Sequence, residues 1–310
     1  MYKEFYGFRE KPFNLTPDPA FLYLSKQHGM ALTMLNYGLQ NEAGIIVITG
    51  EVGAGKTTLI REVLQNISKD VEVGLITNAH NGFGDLLQLV LLAFDITTET
   101  LDKATRYKVL TDFLINNYAK NKRTVLIVDE AQNMDIATLE ELRLISNINV
   151  DKHLVLQLVL VGQPELLEKL QRNDLRQLAQ RVSVDYMIKP LGYKETRAYI
   201  MFRLVVAGGK DNILDKYAIA IAYYYSGGTP RLINTLCDFA LVFGFSEGLQ
   251  QINMDIMLDV IKGKKEGGIF PMIGEENREQ AKVRQLIKQE KGIDILLIPE
   301  DHADEGIFEL

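Results

Sequence analysis

Eight consecutive residues combine three glycines with a lysine and a threonine at a spacing suited to phosphate binding. The segment GEVGAGKT places four residues between its first glycine and the Gly-Lys-Thr that ends it. Glycines let backbone N–H groups converge on phosphate oxygens, and the helix that follows adds its positive N-terminal end. The lysine would reach the β- and γ-phosphates and the threonine hydroxyl would bind Mg²⁺. We therefore predict an ATP–Mg²⁺ site formed by Gly50, Glu51, Val52, Gly53, Ala54, Gly55, Lys56, Thr57 and Thr58.

A pair of acidic residues ends a second apolar run, VLIVDEAQNM, at residues 125–134. Asp129 would join Thr57 in binding Mg²⁺, and Glu130 stands where a general base would polarise the attacking water. An Asp-Glu pair after a strand also serves as a simple turn before a helix. The phosphate loop lies 74 residues upstream, counted from Gly55 to Asp129, and favours the functional interpretation.

The elements that position these residues alternate along the chain. Segments with helical spacing of apolar residues separate five strand-like runs, 44–50, 71–78, 124–130, 154–162 and 182–188. This alternation predicts an α/β fold with a parallel sheet covered on both faces. After Pro190 the pattern changes to four helical segments separated by Gly-rich breaks, 194–207, 215–226, 230–247 and 253–262.

Composition and charge exclude several classes of protein. The chain has 310 residues, 47% of them hydrophobic, and a net charge of −7. Six of its acids lie in residues 292–310, which contain no Lys or Arg, so the rest has 34 basic and 35 acidic residues. A body this close to neutral is not that of a strongly basic DNA-coating protein. The sequence has no run of eighteen apolar residues, so we expect no transmembrane segment. Its single cysteine, Cys237, excludes an internal disulfide and favours the cytoplasm.

Five segments, in this order, resemble the AAA+ ATPases and more closely the ExeA/GspA family of secretion ATPases, which includes MshM-like proteins. They are FYGFREKPFNLTPDPAFLYLS, GEVGAGKTT, IVDEAQNM, LVLVGQPELLEKL and GGTPRLIN. The resemblance covers residues 1 to about 262 and implies a P-loop AAA+ five-stranded parallel sheet followed by a small all-helical lid domain. With it we expect an N-terminal strap and helix of the ATPase core at 1–43, the nucleotide-binding domain at 44–190 and the lid at 191–263. The sequence pattern beyond the lid predicts a linker with an acidic tail at 264–310, within which 275–290 can form a charged helix.

The resemblance also assigns roles to four polar residues. Gln163 falls at the sensor-1 position, which contacts the γ-phosphate and orients water, although many relatives have Asn or Thr there. Arg231 falls at sensor 2, where the lid would place its guanidinium on the nucleotide; the alternative is an exposed arginine at a helix N-terminus. Arg181, and second to it Arg176, would be the arginine finger that acts on the adjacent subunit of a ring or filament, unless both are ordinary surface residues.

Three further features have two interpretations each. The strap segments around Tyr6–Phe8 and Lys11–Phe13 either lie beside the adenine, as the resemblance implies, or pack against the sheet. The three tyrosines at 223–225 are expected to pack in the core or an interface rather than to stack on bases. The acidic end, 292–310, is a solvated tail or a peptide that docks on a partner.

The resemblance predicts an ATP-hydrolysing oligomer that assists assembly of a cell-envelope secretion, pilus or exopolysaccharide system through protein partners. We expect it in the cytoplasm, with the periphery of the inner membrane as the other location. The alternative from another class is a DNA-binding transposition regulator like TniB or TnsC, which forms ATP-dependent filaments on duplex DNA. A third hypothesis is a nucleotide-dependent switch in which hydrolysis only disassembles a complex.

Overall fold

Five of the chain's strands form one sheet, in which every neighbouring pair is parallel. The computed structural model describes residues 1–16, 18–77, 85–97, 102–150, 152–267 and 276–296. The strands of the sheet are β1 (Ile45–Gly50), β2 (Val71–Ile76), β3 (Arg123–Val128), β6 (Gln157–Gly162) and β7 (Val182–Ile188). Their order across the sheet is β2-β3-β6-β1-β7. A short antiparallel hairpin, β4 (Asn149–Val150) and β5 (His153–Leu154), precedes β6. The predicted parallel five-stranded α/β fold is confirmed.

Helices occupy most of the remaining described residues. Their bounds are α1 (Tyr2–Phe5), α2 (Lys26–Gln40), α3 (Lys56–Asn66), α4 (Leu86–Ala93), α5 (Lys103–Ala119), α6 (Ile136–Ile145), α7 (Pro164–Leu170), α8 (Arg176–Ala179), α9 (Tyr193–Val206), α10 (Lys216–Ser226), α11 (Pro230–Ser246), α12 (Met254–Gly267) and α13 (Arg278–Lys291). Across the described ranges, we find no helix that combines the length and the apolar character needed to cross a membrane.

The sheet unit comprises residues Lys26–Lys189. All residues of β1 and β6 are buried, because both strands lie inside the sheet and helices cover both faces. One apolar cluster contains Leu35 of α2 and Leu59 of α3, and the other contains Leu110 of α5 and Leu142 of α6. This buried sheet holds the carboxyl ends of β1, β3 and β6 in fixed positions, where the predicted site residues follow.

The helical unit comprises residues Met1–Ser25 and the chain from Pro190 onward. The strap therefore does not group with the ATPase core as expected for 1–43, and only α2 of that range belongs to the sheet unit. The reason is apolar packing, since Tyr2, Tyr6, Phe8 and Phe13 are buried in one cluster with residues of α9–α12. Hydrogen bonds add to it, because Tyr6 Oη donates to the Leu249 carbonyl at 2.9 Å and Arg203 Nε to the Pro12 carbonyl at 2.5 Å.

Tyr223, Tyr224 and Tyr225 lie in the same apolar cluster, with at most 4% of each residue exposed. Their predicted role in packing is confirmed. Cys237 is also fully buried there.

A segment of the range expected to be linker and tail is folded. Helix α12 continues to Gly267, and α13 contributes Val283 and Ile287 to the apolar cluster of the helical unit. Its Gln280 Nε2 also donates to the Tyr224 carbonyl at 2.7 Å. Within the range expected to be linker and tail, Arg278–Lys291 is therefore a charged helix with a buried apolar face. The prediction for the acidic end beyond 296 lies outside the described residues.

Candidate nucleotide-binding site

The predicted phosphate loop connects the end of β1 to the start of α3. Gly53 and Gly55 adopt left-handed backbone conformations, with φ of 78° and 93°, which glycine adopts without steric cost. At Gly50 a Cβ atom would lie 2.9 Å from the Ile188 carbonyl oxygen, so a side chain does not fit. In the same loop Glu51 and Val52 are exposed and Ala54 is buried, while Thr57 and Thr58 lie half-buried in the first turn of α3. A steric constraint therefore favours glycine at each of the three glycine positions of the motif.

Lys56 is the first residue of α3, and its side chain turns back into the loop. Its Nζ donates to the carbonyl oxygens of Gly50 at 2.7 Å and Glu51 at 3.0 Å. Burial lowers the pKa of Lys56, and the nearby carboxylates of Glu130 and Asp129 oppose that shift. The loop therefore already surrounds the ammonium group that is predicted to contact phosphate.

Thr57 and Asp129 meet as the sequence predicts. Thr57 Oγ1 donates to Asp129 Oδ2 at 3.0 Å, and the Asp129 residue is only 5% exposed. Burial raises the pKa of the Asp129 carboxyl, which the hydrogen bond from Thr57 opposes. A hydroxyl and a carboxylate are ligand types that Mg²⁺ takes together with water and substrate phosphates. The donor set fits Mg²⁺, and no described group of three or more His, Cys, Asp or Glu forms a competing all-protein site.

Glu130 follows Asp129 in a left-handed conformation, with φ of 55° and ψ of 36°. This conformation is uncommon for a residue other than glycine. The Glu130 N–H donates to Asp129 Oδ1 at 2.9 Å. The Glu130 carboxylate accepts two hydrogen bonds at the same oxygen, Oε2, from Gln132 Nε2 at 2.5 Å and from Gln163 Nε2 at 3.3 Å. The sharp turn after β3 thus brings the predicted base next to the predicted sensor-1 residue.

Sequence reasoning missed two residues that contact this site. Gln132 joins Glu130 to Gln163, and its only signal was a polar amide two positions after the predicted base. His28 of α2 places Nε2 2.8 Å from the Ala54 carbonyl oxygen in the phosphate loop. Because a carbonyl oxygen only accepts, His28 Nε2 must carry the hydrogen. No spacing or motif in the sequence signals this contact with the loop backbone.

The three predicted arginines differ in their surroundings. Arg181 is half-buried and donates through Nη1 to the Ser146 carbonyl oxygen at 3.2 Å. Arg176, in the short helix α8, is exposed, and its guanidinium has no hydrogen-bond or ion-pair partner among the described residues. Arg231 is exposed in the first turn of α11, within the helical unit. Of the two finger candidates, Arg176 is thus the one whose guanidinium no described residue binds.

Comparisons with known proteins find relatives in sequence and in fold. A family model described as an AAA domain matches residues 39–170. The chain is 43% identical over 256 residues to general secretion pathway protein A of Aeromonas hydrophila, a match that covers 81% of this chain and 46% of that protein. The chain therefore spans about half the length of this curated relative.

Solved structures show the same fold at low sequence identity. The Aeropyrum pernix ORC2 protein superposes with a TM-score of 0.61 and 16% identity, covering 82% of this chain and 72% of that one. Cdc6p from Pyrobaculum aerophilum gives a TM-score of 0.62 and 14% identity, covering 81% and 70%. The phosphate loop, the Asp-Glu strand end and the relative from the secretion pathway lead to one conclusion: the chain belongs to the AAA+ ATPases of the general secretion pathway protein A family.

Proposed function

We propose that the chain hydrolyses ATP to ADP and phosphate with Mg²⁺ as cofactor. The observation that carries this proposal is the hydrogen bond between Thr57 in the phosphate loop and Asp129 at the end of β3, with Glu130 directly after it. Three groups with different tasks in phosphoryl transfer are thereby held at one edge of the sheet.

Each residue has a task in the proposed reaction. The backbone of Gly50–Gly55 and the Lys56 ammonium bind the β- and γ-phosphates, and Thr57 and Asp129 hold Mg²⁺. When bound, Mg²⁺ neutralises charge on the phosphate oxygens. Glu130 accepts a proton from water as the water oxygen bonds to the γ-phosphorus. The bond between that phosphorus and the bridging oxygen breaks, and ADP leaves with the bridging oxygen.

Residues outside the loop complete the proposed site. Gln163 contacts the γ-phosphate, and Arg231 of the helical unit contacts the nucleotide. Hydrolysis then needs an arginine from an adjacent copy of the chain, in a ring or filament, with Arg176 as the first candidate and Arg181 as the second. Exposure of Arg176 and the bond between Arg181 and Ser146 support that order.

We propose further that this oligomer assists assembly of a cell-envelope secretion, pilus or exopolysaccharide system through protein partners, in the cytoplasm or at the inner membrane. The relative of 43% identity, named for the general secretion pathway, supports this role. That relative does not favour the duplex-DNA alternative. The charge does not favour it either, because the chain outside 292–310 has 34 basic and 35 acidic residues and is nearly neutral. Likeness to the ORC and Cdc6 structures is evidence of fold alone.

The direct test is steady-state MgATP hydrolysis by the purified chain. We expect Lys56→Ala to lose nucleotide binding and turnover, and Glu130→Gln to bind ATP while its turnover falls about 10²-fold or more, since general-base catalysis is typically worth that much. Wild-type nucleotide affinity in Lys56→Ala would refute the phosphate site, and wild-type turnover in Glu130→Gln would refute the base.

A second measurement separates the two biological roles. Specific activity that rises with protein concentration and is unchanged by duplex DNA supports a self-assembling envelope ATPase. Severalfold stimulation by duplex DNA at physiological salt would overturn that role in favour of the transposition-type alternative, because DNA would then be the activator.

A further inference from the structure

The hydrogen bonds around Gln132 link the proposed base to the end of a neighbouring strand. Gln132 lies in the short 3₁₀ turn Ala131–Asn133 after β3, and 9% of the residue is exposed. Its Nε2 donates to Glu130 Oε2 at 2.5 Å, and its Oε1 accepts from the Gln163 N–H at 3.0 Å. One side chain thus contacts both residues that follow β3 and β6 and are predicted to act on the γ-phosphate.

The orientation of the Gln132 amide follows from chemistry. A backbone N–H only donates, so the atom beside the Gln163 nitrogen must be the amide oxygen. The amide nitrogen then points to the Glu130 carboxylate, which as an anion only accepts. A flipped amide would place two donors together on one side and two acceptors together on the other, so this arrangement is the only one in which both contacts are hydrogen bonds.

The backbone of Gln132 is held as firmly as its side chain. Lys169 Nζ of α7 donates to the carbonyl oxygens of Gln132 at 2.5 Å and Met134 at 2.7 Å. Gly162, the last residue of β6, leaves room for the amide, since a Cβ there would lie 2.9 Å from Gln132 Oε1. The amide therefore has little freedom to move away from Glu130.

Glu130 needs such support because its backbone is in a left-handed conformation, which is strained for a residue other than glycine. Both amide donors bind Oε2, and Oε1 has no hydrogen-bond partner among the described residues. Of the two amides, Gln132 makes the shorter contact, at 2.5 Å against 3.3 Å from Gln163.

We propose that Gln132 is a positioning residue for hydrolysis. Its amide fixes Oε2 of Glu130, so that Oε1 is the oxygen that takes the proton from the attacking water. Its second hydrogen bond, from the Gln163 N–H, links the base to the end of β6. This inference rests on the proposed role of Glu130. Misplacement of a catalytic group by about 1 Å costs on the order of 10²-fold in rate. The expected loss is therefore in kcat rather than in nucleotide binding.

Two substitutions test the proposal at different levels. Gln132→Met keeps the size of the side chain and removes both hydrogen bonds. Gln132→Glu keeps an acceptor for the Gln163 N–H, but it replaces the donor to Glu130 with a second carboxylate, whose charge repels that of Glu130. For both we expect kcat to fall about 10- to 100-fold, with the ATP dissociation constant within about twofold of wild type, because the phosphate loop is untouched. The matched control is Asn117→Leu, which removes a buried amide bonded to Thr124 Oγ1 at 3.3 Å and should leave kcat unchanged.

A double-mutant cycle with Glu130→Gln separates positioning from a general effect on the fold. If Gln132 acts through the Glu130 carboxylate, Gln132→Met should cause little further loss once that carboxylate is gone. An equal loss in both backgrounds, or wild-type kcat in both single variants, would overturn the inference. Wild-type turnover in Glu130→Gln alone would instead refute the base itself, so failure of the proposed function is distinguishable. If Gln132→Met does not fold, Gln132→Glu decides, because wild-type kcat in a variant that lacks the donor to Glu130 would overturn the inference.

Discussion

Gly55 offers the sharpest test of how the sequence determines the conformation of the phosphate loop. Two costs oppose Gly55→Ala. The residue has φ of 93°, a region that costs other residues about 1–3 kcal/mol. A Cβ atom there would also lie 2.8 Å from His28 Nε2, and the His28 ring is buried and placed by its contact with Ala54. Together we expect a loss of about 2–4 kcal/mol in the free energy of unfolding, which corresponds to a fall in Tm of roughly 4–16 °C for a unit of this size.

The assay is thermal unfolding of the chain without nucleotide, with two companion variants. Gly29→Ala changes the glycine next to His28, in the interior of α2, where an added Cβ meets nothing within 4 Å; it should raise the stability by up to about 1 kcal/mol. His28→Ala removes the ring, so the loss in His28→Ala/Gly55→Ala should be smaller than the sum of the single losses. Wild-type Tm in Gly55→Ala would refute the steric argument, and strict additivity would refute the contact with His28.

Three further predictions concern charge, assembly and packing. Burial lowers the pKa of Lys56 below 10.5 in the folded chain. Between this lowered pKa and 10.5 the unfolded chain binds more protons than the folded one, so the contribution of Lys56 to the free energy of unfolding rises with pH. In urea denaturation at increasing pH, the free energy of unfolding should therefore rise less in Lys56→Met than in the wild type, and parallel curves would contradict this. An equimolar mixture of Arg176→Ala and Lys56→Ala proteins should release more phosphate from ATP than either protein alone, because each variant supplies the group that the other lacks. If only the mixture of Arg181→Ala with Lys56→Ala regains activity, the order of the finger candidates is reversed. Ile287→Ala should lower the free energy of unfolding by about 2–5 kcal/mol, because Ile287 is fully buried. Leu286 is 44% exposed, so the free energy of unfolding of Leu286→Ala should stay within about 0.5 kcal/mol of wild type. Equal unfolding midpoints for these two variants would refute the packing of α13.

The sheet could be predicted from the sequence because its strands are continuous apolar runs. The segments 44–50 and 182–188 correspond closely to β1 (Ile45–Gly50) and β7 (Val182–Ile188). The bond between Thr57 and Asp129 could also be expected, since parallel strands bring their carboxyl ends to one edge of the sheet. Local pattern and general topology were sufficient for these features.

Side-chain contacts between elements could not be predicted in the same way. The position of Gln132 near Gln163 depends on a left-handed turn at Glu130, and no residue type signals that turn because Glu rarely adopts it. The contact between His28 and the loop depends on how α2 packs beside α3. The packing of helix α13 could not be predicted for a different reason: its buried residues, among them Val283 and Ile287, are few and interspersed with charges.

The helical unit is built from two distant segments of the chain, and this has a consequence for synthesis. Tyr2, Tyr6, Phe8 and Phe13 leave the ribosome before Lys189, whereas the α9–α12 residues that bury them follow only after it. At roughly 5–20 residues per second, the strap waits about 10–40 s for its partners, while Lys26–Lys189 is a continuous segment that can fold in the meantime. These aromatic residues are therefore exposed on the nascent chain until α9–α12 emerge, and such exposed apolar surface is what chaperones cover.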